Sequence, residues 1–191
     1  MSTLAGWAGN TWIKLAGFRL SIAERLPARC VLVAAPHTSN WDLPLALACA
    51  WAGGIPFRWL AKHTLFWPPL GWMLRAMGGM PVDRREPHHL VERMAELVRN
   101  EAHIALGMAP KGTRAARDYW KSGFYRVALA ANVPVGLAYV DWGARVVGIG
   151  PFLTLTGDVR ADMDKIRAFY ATMRGKYPEL EREPRLREED A

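Results

Sequence analysis

The chain has no run of about 20 consecutive apolar residues, the length that a helix crossing a bilayer requires. A spanning helix is therefore excluded as a reading of the hydropathy. Residues 4–20 come nearest. Gly6, Gly9, Asn10, Lys14 and Arg19 interrupt them, which also argues against a signal peptide. Cysteine is scarce: Cys30 and Cys49 are the only two, and both sit in apolar surroundings. That excludes a disulfide framework and suits small core residues in a reducing compartment. No Cys/His spacing resembles a zinc site, so no metal is expected. Repeats, low-complexity tracts and clear linkers are missing as well. With 191 residues, one well-buried domain is the expectation.

Hydrophobic residues make up 51% of the chain, which places it among globular proteins. The formal charge is +7. Residues 179–191 hold six acidic and three basic side chains, so the remainder stands at +10. A body that basic suits an anionic partner: phospholipid headgroups, a phosphorylated substrate, an acidic carrier protein or nucleic acid. The nine tryptophans fall in apolar runs rather than among basic residues, and no recognition motif is present. Nucleic acid is accordingly not expected. Indole rings favour boundaries with one apolar and one wet side, membrane interfaces included. Residues 4–20 read as a helix either lying on such an interface or packed on the domain.

Strand and helix patterns alternate along the chain. Strands are expected at 30–35, 56–61, 80–82, 104–108, 134–140 and 145–149. Helices are expected at 41–51, ended by Gly53-Gly54, and at 65–77, with a break near Pro68-Pro69. Further helices are expected at 88–100, 122–131 and 161–173. This alternation predicts an α/β fold: a single domain with a largely parallel sheet flanked by helices. Such sheets hold ligands beyond the carboxyl ends of their strands.

The first apolar strand runs directly into His37-Thr38-Ser39-Asn40-Trp41-Asp42. On one continuous helix, five steps are about 500°, so His37 and Asp42 would point roughly 140° apart. They can meet if His37 sits in the turn leaving the strand and Asp42 in the first helical turn, with Ser39 or Asn40 as cap. A carboxylate beside an imidazole is the arrangement that fixes the tautomer of a general base. Strand 104–108 runs likewise into Ala109-Pro110-Lys111-Gly112-Thr113-Arg114. Gly112 allows a tight turn, and Thr113 and Arg114 offer a hydroxyl and a fork of donors to an oxyanion. Gly79-Met80-Pro81-Val82-Asp83-Arg84-Arg85 brings a second basic pair after a short extended piece.

The order His37-x4-Asp42, then Gly79 to Arg84, then Gly112-Thr113-Arg114, then Val133-Pro134 resembles the four motif blocks of the glycerolipid acyltransferases, of which lysophosphatidic acid acyltransferase is the type member. The flanking runs Ala34-Ala35-Pro36 and Tyr119-Trp120-Lys121-Ser122-Gly123 resemble a small bacterial branch of that family. The resemblance covers nearly the whole chain. It implies residues 30–178 as the acyltransferase domain, 1–29 as an amphipathic leading segment and 179–191 as an unstructured charged tail. It implies His37 as general base on an acceptor hydroxyl, oriented by Asp42, with no acyl-enzyme. It implies acyl-CoA or acyl-carrier protein as co-substrate, and no bound cofactor. A lysophospholipid-like acceptor follows, its phosphate met by Arg84, Thr113 and Arg114, in a cytoplasmic protein that is peripheral on the inner face of a membrane.

One position departs from the family pattern. The third block usually reads Glu-Gly-Thr-Arg, and here Lys111 precedes Gly112. An ammonium cannot accept a hydrogen bond from an acceptor hydroxyl, but it can contact an anionic acceptor. Lys111 therefore leaves open a different hydroxyl or amine acceptor, or a catalytically impaired lipid-binding homologue.

Overall fold

The structure, a computed structural model, describes residues 3–83 and 87–190. In chain order the elements are α1 (Thr3–Leu15), β1 (Arg19–Ile22), β2 (Arg29–Ala34), α2 (Asp42–Ala52), β3 (Phe57–Lys62), α3 (Leu70–Ala76) and β4 (Gly79–Val82). They continue with α4 (Pro87–Asn100), β5 (Ile104–Met108), α5 (Gly123–Ala131), β6 (Val135–Asp141), β7 (Val146–Leu153) and α6 (Val159–Tyr170).

The strands form one sheet in the order β1-β7-β6-β2-β5-β3-β4. Every neighbouring pair is parallel except β6 with β7. β2 lies in the middle, and its composition explains why. Val31 and Val33 face one side, packed with Phe124, Val127, Met163 and Ile166 of α5 and α6. Cys30 and Leu32 face the other, packed with Ala50 and Ile55. A strand apolar on both faces needs cover on both, which only a central place provides.

Helix ends follow local chemistry. Asp158 caps α6 by accepting from the Ala161 N–H at 3.1 Å. Asn132 ends α5 in the left-handed region, φ 52°. The helix expected at 65–77 is divided: a short 3₁₀ turn, His63–Leu65, precedes α3, and Pro68-Pro69 lie between. Proline lacks the N–H that a continuous helix would use, and it disfavours helical geometry in the residue before it.

Two expectations about the ends differ from the structure. Residues 1–29 are more than a helical leader, because β1 joins the sheet beside β7. α1 packs closely on α2: a Cβ on Gly9 would lie 2.5 Å from the Ala48 carbonyl oxygen. The charged tail is ordered through residue 190. Leu186 is fully buried, and Glu189 is buried with its carboxylate 2.7 Å from Arg167. The Trp120 backbone N–H donates to the Arg185 carbonyl at 2.7 Å and Arg126 meets Glu188 at 2.9 Å, so a segment whose composition alone reads as solvated is anchored at several points.

Candidate active site

The register of three adjacent parallel strands assembles the site. Val33 of β2 pairs with Met108 of β5 on one side and with Leu137 of β6 on the other. The chain therefore leaves β2 toward His37, β5 toward Lys111 and β6 toward Trp142 at the same sheet edge.

His37 Nδ1 stands 3.4 Å from Asp42 Oδ2. The imidazole keeps some exposure, at 20%, while the carboxylate is nearly closed off, at 6%. Asp42 is the first residue of α2, as the spacing required. Its carboxylate turns back onto the preceding loop, where Oδ2 accepts from the backbone N–H of Thr38 at 3.0 Å and of Ser39 at 2.8 Å. Helix capping differs from expectation. Ser39 Oγ accepts from the Trp41 N–H at 3.1 Å rather than from within α2, and Trp41 at the N-cap makes no side-chain cap. An ionised carboxylate gains more from two amides than a hydroxyl would, so the aspartate takes the loop donors.

The other oxygen of Asp42 is met from far away in sequence. Trp142 Nε1–H donates to Oδ1 at 2.9 Å from the turn after β6. Sequence reasoning does not single out Trp142, since one tryptophan in a hairpin turn has no spacing signal toward Asp42.

Lys111 is buried. Its Nζ donates to the Leu180 carbonyl at 3.1 Å. Burial pushes its pKa down from the usual lysine range. The carboxylates of Glu181 and Asp42 oppose that, and Arg182 adds to it. Lys111, His37, Tyr170, Glu181 and Arg182 share a cavity of about 50 Å³. Gly112 makes the expected tight turn at φ 63°, its N–H donating to the Ala109 carbonyl at 3.0 Å. Gly112 and Thr113 line a neighbouring groove of about 1120 Å³, apolar along Leu60, Val91 and Met108, with Trp120 between it and the His37 cavity. Arg114 is exposed in the same loop, and Thr113 Oγ1 accepts from the Ala115 N–H at 3.3 Å. Arg84 lies outside the described residues. Among the described residues no group of three or more His, Cys, Asp or Glu side chains could hold a metal ion. Burial pushes the thiols of Cys30 and Cys49 up to about 12, so both are inert core groups rather than nucleophiles.

Known proteins share this architecture. The crystal structure of the 1-acyl-sn-glycerophosphate (LPA) acyltransferase PlsC from Thermotoga maritima superposes with a TM-score of 0.57 at 16% identity, covering 85% of this chain and 74% of that one. At that identity the likeness concerns the fold. The 1-acyl-sn-glycerol-3-phosphate acyltransferase of Limnanthes douglasii is 29% identical over 131 residues, 65% of this chain and 45% of that protein. The enzyme of the same name from Streptococcus pneumoniae is 31% identical over 105 residues, 54% of this chain and 39% of that protein. The chain spans less than half the length of these curated relatives. A family model described as Acyltransferase matches residues 17–137, a span that takes in His37, Asp42 and the 111–114 loop. On that match, the chain belongs to the acyltransferase family.

Proposed function

We propose that this chain moves a fatty acyl group from acyl-CoA or acyl-carrier protein to a hydroxyl of a lysophospholipid-like acceptor. The observation that carries the reading is the His37–Asp42 pair, an accessible imidazole backed by a carboxylate that loop amides hold in place. With Nδ1 turned to Asp42, Nε2 is left to take the proton of the acceptor hydroxyl. The oxygen attacks the thioester carbonyl and forms a tetrahedral oxyanion. Its collapse expels the thiolate, which recovers the proton from the His37 imidazolium, while Asp42 offsets the imidazolium charge. Arg84, Thr113 and Arg114 take the acceptor phosphate. The acyl chain lies along Leu60, Val91 and Met108 in the groove past Gly112.

The protein works at the cytoplasmic face of a membrane in this reading. No described helix is long and apolar enough to cross one. Trp7 on α1 and Trp72 on α3 are about two-thirds exposed, on helices that both flank α2. Rings of this kind belong at a lipid surface. Trp7→Ser with Trp72→Ser should cut binding to anionic phospholipid vesicles at least tenfold, with unchanged thermal unfolding. Vesicle binding equal to that of the parent protein would remove the interfacial placement.

Lys111 supports a narrower second reading, in which the acceptor is a hydroxyl or amine outside the ordinary glycerolipids. Its ammonium is buried and tied to Leu180, so the carboxylate usual at this place has no counterpart on that residue. Mass spectrometry of products, after incubation with acyl-CoA or acyl-carrier protein and a panel of lyso-lipids and amines, separates the two. His37→Ala should abolish transfer with the fold intact, and full activity in that variant would sink the mechanism.

A further inference from the structure

We propose that Trp142 is a positioning residue for the His37–Asp42 pair, and that the loop after α6 holds it in that role. The inference rests on the acyl-transfer reading for its kinetics, though not for its geometry. Asp42 Oδ2 is crowded: the N–H groups of Thr38 and Ser39 and the Nδ1 of His37 all converge on it. Oδ1 receives the Trp142 indole N–H at 2.9 Å. That bond holds the plane of the carboxylate, because a partial rotation about Cβ–Cγ would turn Oδ2 away from His37 and stretch the indole bond to Oδ1. Trp142 also lies beyond the span that the family model matches.

The indole is fixed on several sides. Phe18 packs edge-on with ring centroids 5.1 Å apart, and the Arg145 guanidinium lies 5.5 Å from the ring centroid. Lys176 Nζ sits 4.8 Å above the Trp142 ring, with Trp41 at 5.7 Å and Tyr177 at 5.9 Å completing an aromatic surround. A cation over the ring face draws electron density from the indole and strengthens its N–H as a donor. The same loop reaches both sides of the motif. The Trp142 backbone N–H donates to the Arg174 carbonyl at 2.7 Å, and the Tyr177 backbone N–H donates to Thr38 Oγ1 at 3.2 Å. One four-residue stretch thus braces the tryptophan behind Asp42 and the threonine beside it.

Trp142→Phe tests the role, because it deletes the N–H and keeps a ring for Phe18, Arg145 and Lys176. Partners that orient a metal-bound histidine are typically worth roughly 10–100-fold in activity, and an indole acting through Asp42 is expected at the low end of that range. The expected result is a fall in kcat of about tenfold with KM within about twofold. Proton NMR of the His37 Cε1–H supplies a readout that needs no substrate. Deleting the donor to Asp42 Oδ1 should shift the His37 ring resonance, because the same carboxylate faces Nδ1. Asp42→Asn should move the Trp142 indole N–H resonance, which tests the contact even if Trp142→Phe does not fold. An unchanged kcat with an unchanged His37 ring resonance, or an indole resonance that Asp42→Asn leaves in place, would overturn the proposal. If the parent transfers no acyl group to any acceptor, the functional reading fails while the NMR measurements still decide the role of Trp142.

Discussion

Lys111, at the start of the third motif, donates a hydrogen bond at 3.1 Å to the backbone of Leu180, a residue 69 positions later. The ammonium fastens the final segment of the chain to the loop beside His37, and Glu181 of that segment joins Lys111 and His37 around one small cavity. The residue that departs from the family pattern therefore has a structural task that a glutamate could not perform.

Lys111→Glu should destabilise the protein rather than repair it. The substitution removes the bond to Leu180 and brings a carboxylate toward those of Asp42 and Glu181. Leaving a buried charge uncompensated typically costs about 3–5 kcal/mol. Urea unfolding should register a loss of that order, and Lys111→Met a clearly smaller one. Equal losses in both would mean that the sign of the charge at this place is immaterial. A gain in lysophosphatidate acylation by Lys111→Glu would instead favour the ordinary acceptor.

Asp42→Asn should keep the fold and lose most of the rate. Its amide oxygen can still accept from one side of the loop, but the negative charge facing His37 is gone. For an aspartate that orients a catalytic histidine, this exchange costs on the order of 10⁴ in kcat. Circular dichroism matching the parent, together with a rate within tenfold of it, would show that the carboxylate does not orient the base.

Alkaline pH should weaken the fold through the two cysteines. Burial pushes Cys30 and Cys49 up to about 12, while an unfolded thiol titrates near its ordinary value of 9.0. Their stabilising contribution is fully present below pH 9. It falls as pH rises from there, because only the unfolded chain releases the protons. Between pH 8 and 10 each thiol should cost about 1.4 kcal/mol. Urea unfolding under reducing conditions should show this decline, and Cys30→Ala with Cys49→Ala should flatten it. An equally steep decline in the double variant would assign it to other groups.

The ordered tail rests on Arg167, whose guanidinium reaches Glu189 at 2.7 Å and the Pro184 carbonyl at 2.9 Å. Arg167→Met leaves Glu189 buried beside Leu186 without its partner. We expect a loss of about 3 kcal/mol, with earlier proteolysis within residues 181–190. Unchanged protease resistance would show that Leu186 and the contacts of Trp120, Arg126 and Arg160 hold the segment without Arg167.

Much of this molecule was legible from the order of residues. The apolar run at 30–35 reads as a strand, and the five-residue interval requires His37 in a loop and Asp42 in a first helical turn if the two are to meet, which is where they stand. Periodicity and spacing report such local facts, because helix and strand geometry relate neighbours along the chain. The interruption at Pro68-Pro69 was equally local. Tertiary structure alone decided the remainder. Trp142 meets Asp42 across 100 positions, Lys111 meets Leu180 across 69, and Leu186 makes an acidic tail part of the core. Strand order and register bring the ends of β2, β5 and β6 to one edge, which sets Trp142 beside Asp42, and the segment after α6 folds back over that edge to meet Lys111 and Trp120. Partners set by that kind of proximity carry no period in the sequence.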